Sequence, residues 1–183
     1  FQRISPGADW ESFARAAMRS EAGRAALAAW RTSRALVAFP EDKRRVVREL
    51  LTRHAAQRVL VFTGDNRTAY AIARELLVYP ITHEIGRKER AHALERFNAG
   101  EANVLVSSQV LDEGFDVPAA EIAIVVGGTA STRRHVQRIG RVLRPAPGKR
   151  ARVYELAVAE TIEVDHVRRR RSGMAQFGTR AVG

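Results

Sequence analysis

Three short apolar runs without a polar interruption do most to limit what this chain can fold into. Val59-Leu60-Val61-Phe62, Val104-Leu105-Val106 and Ile122-Ala123-Ile124-Val125-Val126 are each of strand length and apolar at every position. A strand with one face in water alternates apolar and polar residues, whereas a continuous run must be covered on both faces. Between these runs lie segments with helical spacing. Tyr70, Ile72, Ala73, Leu76 and Leu77 form one stripe; Thr63-Gly64-Asp65-Asn66 before it is turn chemistry that also supplies a cap, and Pro80 follows it. Arg87, Arg90, Leu94 and Phe97 mark the next helix, stopped at Asn98-Ala99-Gly100. Ile81-Thr82-His83 reads as a further strand and Arg152-Val153-Tyr154-Glu155-Leu156 as the last. Alternation of this kind predicts an α/β fold, a mostly parallel sheet with helices on both faces. Ligands of such sheets collect beyond the carboxyl ends of the strands, here at 63–66, 107–116 and 127–129.

Upstream of the first strand, Pro40-Glu41-Asp42 opens a helix with Val46, Val47, Leu50 and Leu51 on one side and Arg44, Arg45 and Arg48 on the other. The alanine-rich stretch from Asp9 to Ala38 is broken only at Gly23 and predicts two helices, capped by Asp9 and Ser20, with Trp10 and Trp30 sealing this hairpin onto the domain and ligand stacking as the alternative. The expected organisation is a helical lead-in or interdomain linker over 1–39, one domain over 40–171 and a flexible tail over 172–183. The block Arg168-Arg169-Arg170-Arg171 is expected to be a helix end fraying into solvent, with a phosphate-tracking patch as the alternative.

Composition narrows the function classes. Lys and Arg number 31 against 20 acidic residues, and the resulting +11 favours a polyanionic partner, nucleic acid first. With no cysteine, a disulfide framework and a cysteine zinc site are both excluded. The five histidines show no metal-ligand pairing and no Gly-x-Ser-x-Gly elbow occurs, so no metal site and no serine-type triad are expected. No apolar run approaches the roughly 20 residues of a membrane span, and no signal peptide is visible; the expectation is a soluble, intracellular, cytoplasmic protein without a membrane partner. A chain that opens on Phe1 is expected to be part of a longer protein. The most concentrated chemistry lies in Gln137-Arg138-Ile139-Gly140-Arg141-Val142-Leu143-Arg144. On a helix Arg138, Arg141 and Arg144 share a face, Ile139, Val142 and Leu143 anchor the other, and Gly140 admits a close neighbour. Forked guanidiniums suit a triphosphate or a nucleic-acid backbone; the alternative is a solvated basic face.

That stretch resembles the last motif of superfamily 2 helicases, on the second of their two RecA-like domains. Val104-Leu105-Val106-Ser107-Ser108 followed by Glu113-Gly114-Phe115-Asp116-Val117-Pro118 resembles the motif before it, and Val59-Leu60-Val61-Phe62-Thr63 the strand that opens the domain. Residues 131–145, then Val153-Tyr154-Glu155-Leu156 and a basic helix, are similar to the XPB-type branch. The resemblance implies a RecA-like C-terminal motor domain of an ATP-dependent DNA helicase or translocase of the DNA-repair class. In it Arg141 and Arg144 would be arginine fingers, and Gln137, Glu113, Gly114 and Asp116 would serve the nucleotide. Ser107, Ser108, Gly86, Arg90 and Thr63 would meet the nucleic-acid backbone; for Arg90 a salt bridge among Glu84, Glu89 and Glu95 is the alternative. Glu113 departs from the arginine of many RNA helicases, which puts an RNA-unwinding role in doubt. There is no Gly-x-x-x-x-Gly-Lys-Ser/Thr loop and no Asp-Glu-x-His/Asp box. ATP and Mg2+ would therefore be held mainly by an N-terminal RecA-like domain in cis. The chain alone is expected to bind neither, to be inactive and to be a monomer. The alternatives are a non-enzymatic nucleic-acid-binding module and a restriction- or remodelling-type duplex translocase that does not unwind.

Overall fold

The computed structural model describes residues 10–108, 117–128, 139–140 and 151–176, in a chain that divides into two compact units, Phe1–Val37 and Ala38–Gly183. The first unit carries α1 (Trp10–Ala17) and most of α2 (Glu21–Ala38). Ser20 caps α2, its Oγ accepting the Gly23 N–H at 3.0 Å. Gly23 is not the break itself but the residue that lets the break close, because a Cβ there would lie 2.0 Å from the Ala17 carbonyl oxygen. Gly23→Ala should open this turn, and limited proteolysis around 18–23 would report it as faster cleavage; an unchanged digestion pattern would show that the turn yields without cost. Trp30 keeps 40% of its surface exposed under the Arg34 guanidinium, 5.1 Å from the ring centroid, in a cation–π pair.

The second unit runs α3 (Glu41–Arg53), β1 (Val59–Phe62), α4 (Asn66–Leu76), β2 (Pro80–Ile81), α5 (Arg87–Ala99), β3 (Val104–Ser107), β4 (Ile122–Val125), β5 (Arg152–Glu155) and α6 (Ile162–Gln176). The strands make one five-stranded sheet in the order β2-β3-β1-β4-β5, every pair parallel. Register explains the apolar runs. Val59, Val104 and Ile122 align, as do Val61, Val106 and Ile124, and both rows pack with Val47 and Leu50 of α3 and Ala69 and Ile72 of α4. The alternate row, Leu60, Leu105 and Ala123, packs with Ala93, Leu94 and Phe97 of α5 and with Val117, Ala120 and Ile139. All four β1 side chains are buried, each worth about 1.5–3 kcal/mol for full burial of a large apolar group, so β1 is the spine of both cores.

Strands β4 and β5 each end one residue earlier than the sequence runs suggest, and the ends of β2 and α4 differ for reasons the structure shows. Strand β2 stops at Ile81 because the Thr82 carbonyl already accepts the Ile85 N–H (3.3 Å), which turns the chain out of the sheet before His83. Leu77 belongs to the helical spacing of α4 but forms its C-cap at φ 54 and is 92% exposed, so the stripe ends one residue early. A further difference is larger. The arginine block 168–171 lies within α6, where Arg170 is buried with Nε 2.9 Å from Glu155 Oε1, and Arg171 Nε stands 3.7 Å from Glu155 Oε2. Like charge was read as a cause of fraying; a buried carboxylate on β5 holds the block in place instead.

Candidate functional site

Strand β1 sits between β3 and β4 with all three parallel, so the turns that follow these central strands gather beyond their carboxyl ends, where ligands of such sheets collect. The residues expected at this rim divide by what they touch. Thr63 is fully buried: its N–H donates to the Ser107 carbonyl (2.8 Å) and its hydroxyl to the Asp65 carbonyl (2.9 Å). It ties the end of β1 to the end of β3 and presets the Asp65 cap, whose carboxylate accepts from Thr68 N at 2.8 Å and Thr68 Oγ1 at 3.0 Å. Ser107 is also buried and turns its hydroxyl onto the Ser108 carbonyl (3.0 Å). Ser108 donates its N–H to the Ile81 carbonyl (3.1 Å), yet its buried Oγ has no hydrogen-bond partner among the described residues. A hydroxyl left so costs about 1–3 kcal/mol, which marks the point where the chain passes to 109–116 as one that wants a polar neighbour.

Gly86 is exposed at the N-cap of α5, with no side-chain cap, and a Cβ on it would meet only Glu89 Oε2 at 3.8 Å. The start of α5 is thus an uncovered set of main-chain donors. Arg90 braces the same turn from inside the helix, its Nη2 donating to the carbonyls of Thr82 (3.3 Å) and Ile85 (3.2 Å). The first turns of α4 hold it from the other side. Asn66 Nδ2 lies 2.9 Å from Glu84 Oε1 and 3.0 Å from His83 Nδ1, and the Tyr70 hydroxyl meets Thr82 Oγ1 at 2.9 Å. Hydrogen bonds, that of Asn66 first and that of Tyr70 next, hold the exposed Glu84 carboxyl below the usual carboxylate range.

Across β1, the turns that follow β1 and β4 touch backbone to backbone: a Cβ on Gly64 would lie 3.4 Å from Gly128 N, and one on Gly127 3.4 Å from Gly64 N. Behind them stands a group that the sequence had not singled out. Lys43, 4% exposed, donates from Nζ to the Val126 carbonyl (2.8 Å), to Glu163 Oε1 (2.7 Å) and to the Ala38 carbonyl (3.4 Å). Glu163 accepts the Val158 N–H on its other oxygen at 2.9 Å. Burial pushes the Lys43 ammonium below the usual lysine range, and its bond to Glu163 opposes that shift. A signal for it existed, since Lys43 stands four residues before Val47 and seven before Leu50 on the buried side of α3.

Glu113, Gly114, Asp116, Gln137, Arg141 and Arg144 lie outside the described residues. Between Gln137 and Arg141 stand Ile139, helical and buried in the α5-side core, and Gly140, exposed, where a Cβ would meet nothing within 4 Å among the described residues. Of the apolar anchor read from spacing, Ile139 is in place; Val142 and Leu143 lie outside the described residues. Among the described residues no group of three or more His, Asp or Glu could hold a metal ion, and no helix is long and apolar enough to cross a membrane.

Comparison with known proteins adds to this geometry. Residues 42–146 match the model of the helicase conserved C-terminal domain. The chain is 36% identical over 163 residues to the DNA 3'-5' translocase XPB2 of Sulfurisphaera tokodaii, an alignment covering 89% of this chain and 37% of that protein. It is 34% identical over 139 residues to the DNA 3'-5' helicase XPB of Kineococcus radiotolerans, covering 75% and 25% respectively. The solved helicase domain of Hef from Pyrococcus furiosus is similar with a TM-score of 0.52 at 29% identity, over 72% of this chain and 27% of that one. The chain therefore spans well under half the length of the relatives it matches.

Proposed function

The chain belongs to the helicase conserved C-terminal domain family, with a RecA-like α/β fold and a similarity to its XPB-type branch, and from that premise we propose that it is the second motor domain of an ATP-dependent DNA helicase or translocase. The observation that carries the reading is the family match across 42–146, which takes in both motif stretches, 104–118 and 137–144, in order. On this reading Arg141 and Arg144 reach across to a triphosphate, and their always-charged forked donors neutralise charge on the phosphoryl group being transferred. Gln137, Glu113, Gly114 and Asp116 orient the nucleotide and those arginines. Bound ATP supplies the free energy. The lack of a phosphate loop in this sequence assigns most of its grip, and that of Mg2+, to an N-terminal RecA-like domain in cis. The fit on this side rests on an anchored Ile139 beside an exposed Gly140.

Nucleic acid lies along the β2–β3 side of the rim, over the uncapped start of α5 and the unpartnered Ser108 hydroxyl, with Thr63 and Arg90 holding those groups in place. Such contacts take phosphates and read no bases. Because both relatives above bear names for work on DNA, and Glu113 replaces the arginine of many RNA helicases, DNA is the expected strand. Translocation is the activity common to a translocase and a helicase, and strand displacement reads unwinding separately.

Two measurements test this. The chain alone should show no ATP turnover with or without DNA. It should bind DNA of unrelated sequences with similar affinity, falling steeply as salt rises. Robust turnover by the chain alone, or binding insensitive to salt, would overturn the reading.

A further inference from the structure

We propose that Lys43, held by Glu163, is a positioning residue for ATP turnover: it fixes the carbonyl at the end of β4 from which residues 129–138 lead on to the arginine motif. This rests on the function proposed above. Placing an ammonium in a domain interior is costly, and at this site a leucine or methionine would fill the same space without that cost. What the ammonium does that a methyl group cannot is donate to Val126 O at 2.8 Å. Val126 is then held on both sides of its residue, its N–H by the Phe62 carbonyl (2.9 Å) and its carbonyl by Lys43. The next two residues, Gly127 and Gly128, have no side chains with which to hold themselves; they lie against Gly64, and Gly128 beside the Val125 side chain. Their placement is therefore inherited from Val126. At the far end of the same stretch Ile139 is fixed in the core. The residues between these two anchors start from a point that Lys43 sets.

Glu163 sets Lys43 in turn. Its two oxygens are divided between the ammonium (2.7 Å) and the Val158 N–H (2.9 Å), and its own N–H meets Thr161 Oγ1 at 3.3 Å. The first turn of α6, the first turn of α3 and the end of β4 thus meet at one charge. A shift of the rim by as little as an ångström is enough to slow a step that depends on an aligned guanidinium, since misplacement on that scale costs on the order of 10²-fold.

The test uses the complete protein, with DNA-stimulated ATP hydrolysis as the readout. Lys43→Met should lower kcat roughly 10- to 100-fold while KM for ATP and duplex affinity stay within about twofold. Glu163→Gln, which keeps an acceptor for Lys43, should lower kcat in the same direction by less, and it carries the comparison should Lys43→Met fail to fold. Glu121→Leu is the control: it removes the carboxylate that accepts the Arg58 N–H (3.1 Å) at the amino ends of β1 and β4, the opposite end of β4 from Val126. A loss of Tm in Glu121→Leu without a loss of kcat, beside a loss of kcat in the other two, supports the positioning role. Wild-type kcat in both test variants, or a fall in kcat that tracks Tm equally in all three, overturns it. Arg141→Ala is measured alongside: normal turnover there overturns the underlying functional reading, whereas an inactive Arg141→Ala with unaffected Lys43 and Glu163 variants overturns this inference alone.

Discussion

On the proposed function, Arg141→Ala in the complete protein is expected to lower ATP turnover by about 10³-fold or more, the range that an arginine finger contributes in well-studied NTPases. Duplex DNA affinity should change little, because on the same reading it would be the sum of many phosphate contacts made by a chain with a formal charge of +11. The size of the effect follows from when the interaction matters. Charge builds on the transferred phosphoryl oxygens only as the bond breaks, so a guanidinium aimed there stabilises the transition state more than bound nucleotide. Arg141→Lys should recover little, since an ammonium keeps the charge but not the planar fork. Arg144→Ala should act in the same direction, and the double variant should be far from additive if the two act as a unit. Ile139, two residues before Arg141, is buried, so Arg141→Ala leaves the anchor of this turn intact and its unfolding midpoint should stay near that of the parent. Normal ATP turnover in Arg141→Ala would sink the assignment.

The second large effect is on stability. Lys43→Ala should destabilise the chain by about 3–5 kcal/mol, the usual consequence of breaking a buried ion pair from one side. Glu163 keeps its negative charge with 17% of its side chain exposed, and the Val126 carbonyl loses its donor. Many buried pairs can be replaced on both sides by apolar residues at no loss. This pair should not behave so, because each member also holds a main-chain group. Lys43→Met with Glu163→Leu would strand the Val126 carbonyl and the Val158 N–H, and each buried orphan costs about 1–3 kcal/mol. Urea unfolding of the parent, single and double variants decides the matter. A double variant as stable as the parent would show that the two main-chain contacts carry no weight, and a single variant within about 0.5 kcal/mol of it would show the same of the pair.

Much of the architecture could be read from the chain because its strands are buried on both faces. Val59–Phe62 and Ile122–Val125 are unbroken apolar segments for that reason, and the helices that cover them keep their own spacing. Strand β2, by contrast, is two residues at an edge, and its end was set by a Thr82–Ile85 turn whose geometry leaves no periodic trace. Long-range polar contacts were the least legible. Lys43 finds its acceptors 83 and 120 residues away, and Arg170 finds Glu155 from within a block whose local charge argued for solvent. At the rim, Ser108 and Gly86 stand where their positions after strands suggested, while Thr63 and Arg90 spend their donors on the main chain. A residue type identifies which groups can hydrogen-bond, but not which neighbour satisfies them first.

The central place of β1 also bears on how the molecule assembles. Strands β1 and β2 are consecutive in the chain but never neighbours in the sheet, since β3 lies between them and pairs with both. A nascent chain that has emerged only through Ile81 holds two strands with no ladder to join them, and the first rung, Val59 to Val104, waits for a contact far along the chain. Helices α3, α4 and α5 are all synthesised before that rung can close, so they are available to shelter both faces of β1 while its edges stand open. Late, non-local closure of this kind slows folding and lengthens exposure to aggregation, and synthesis order here supplies the cover before the partner.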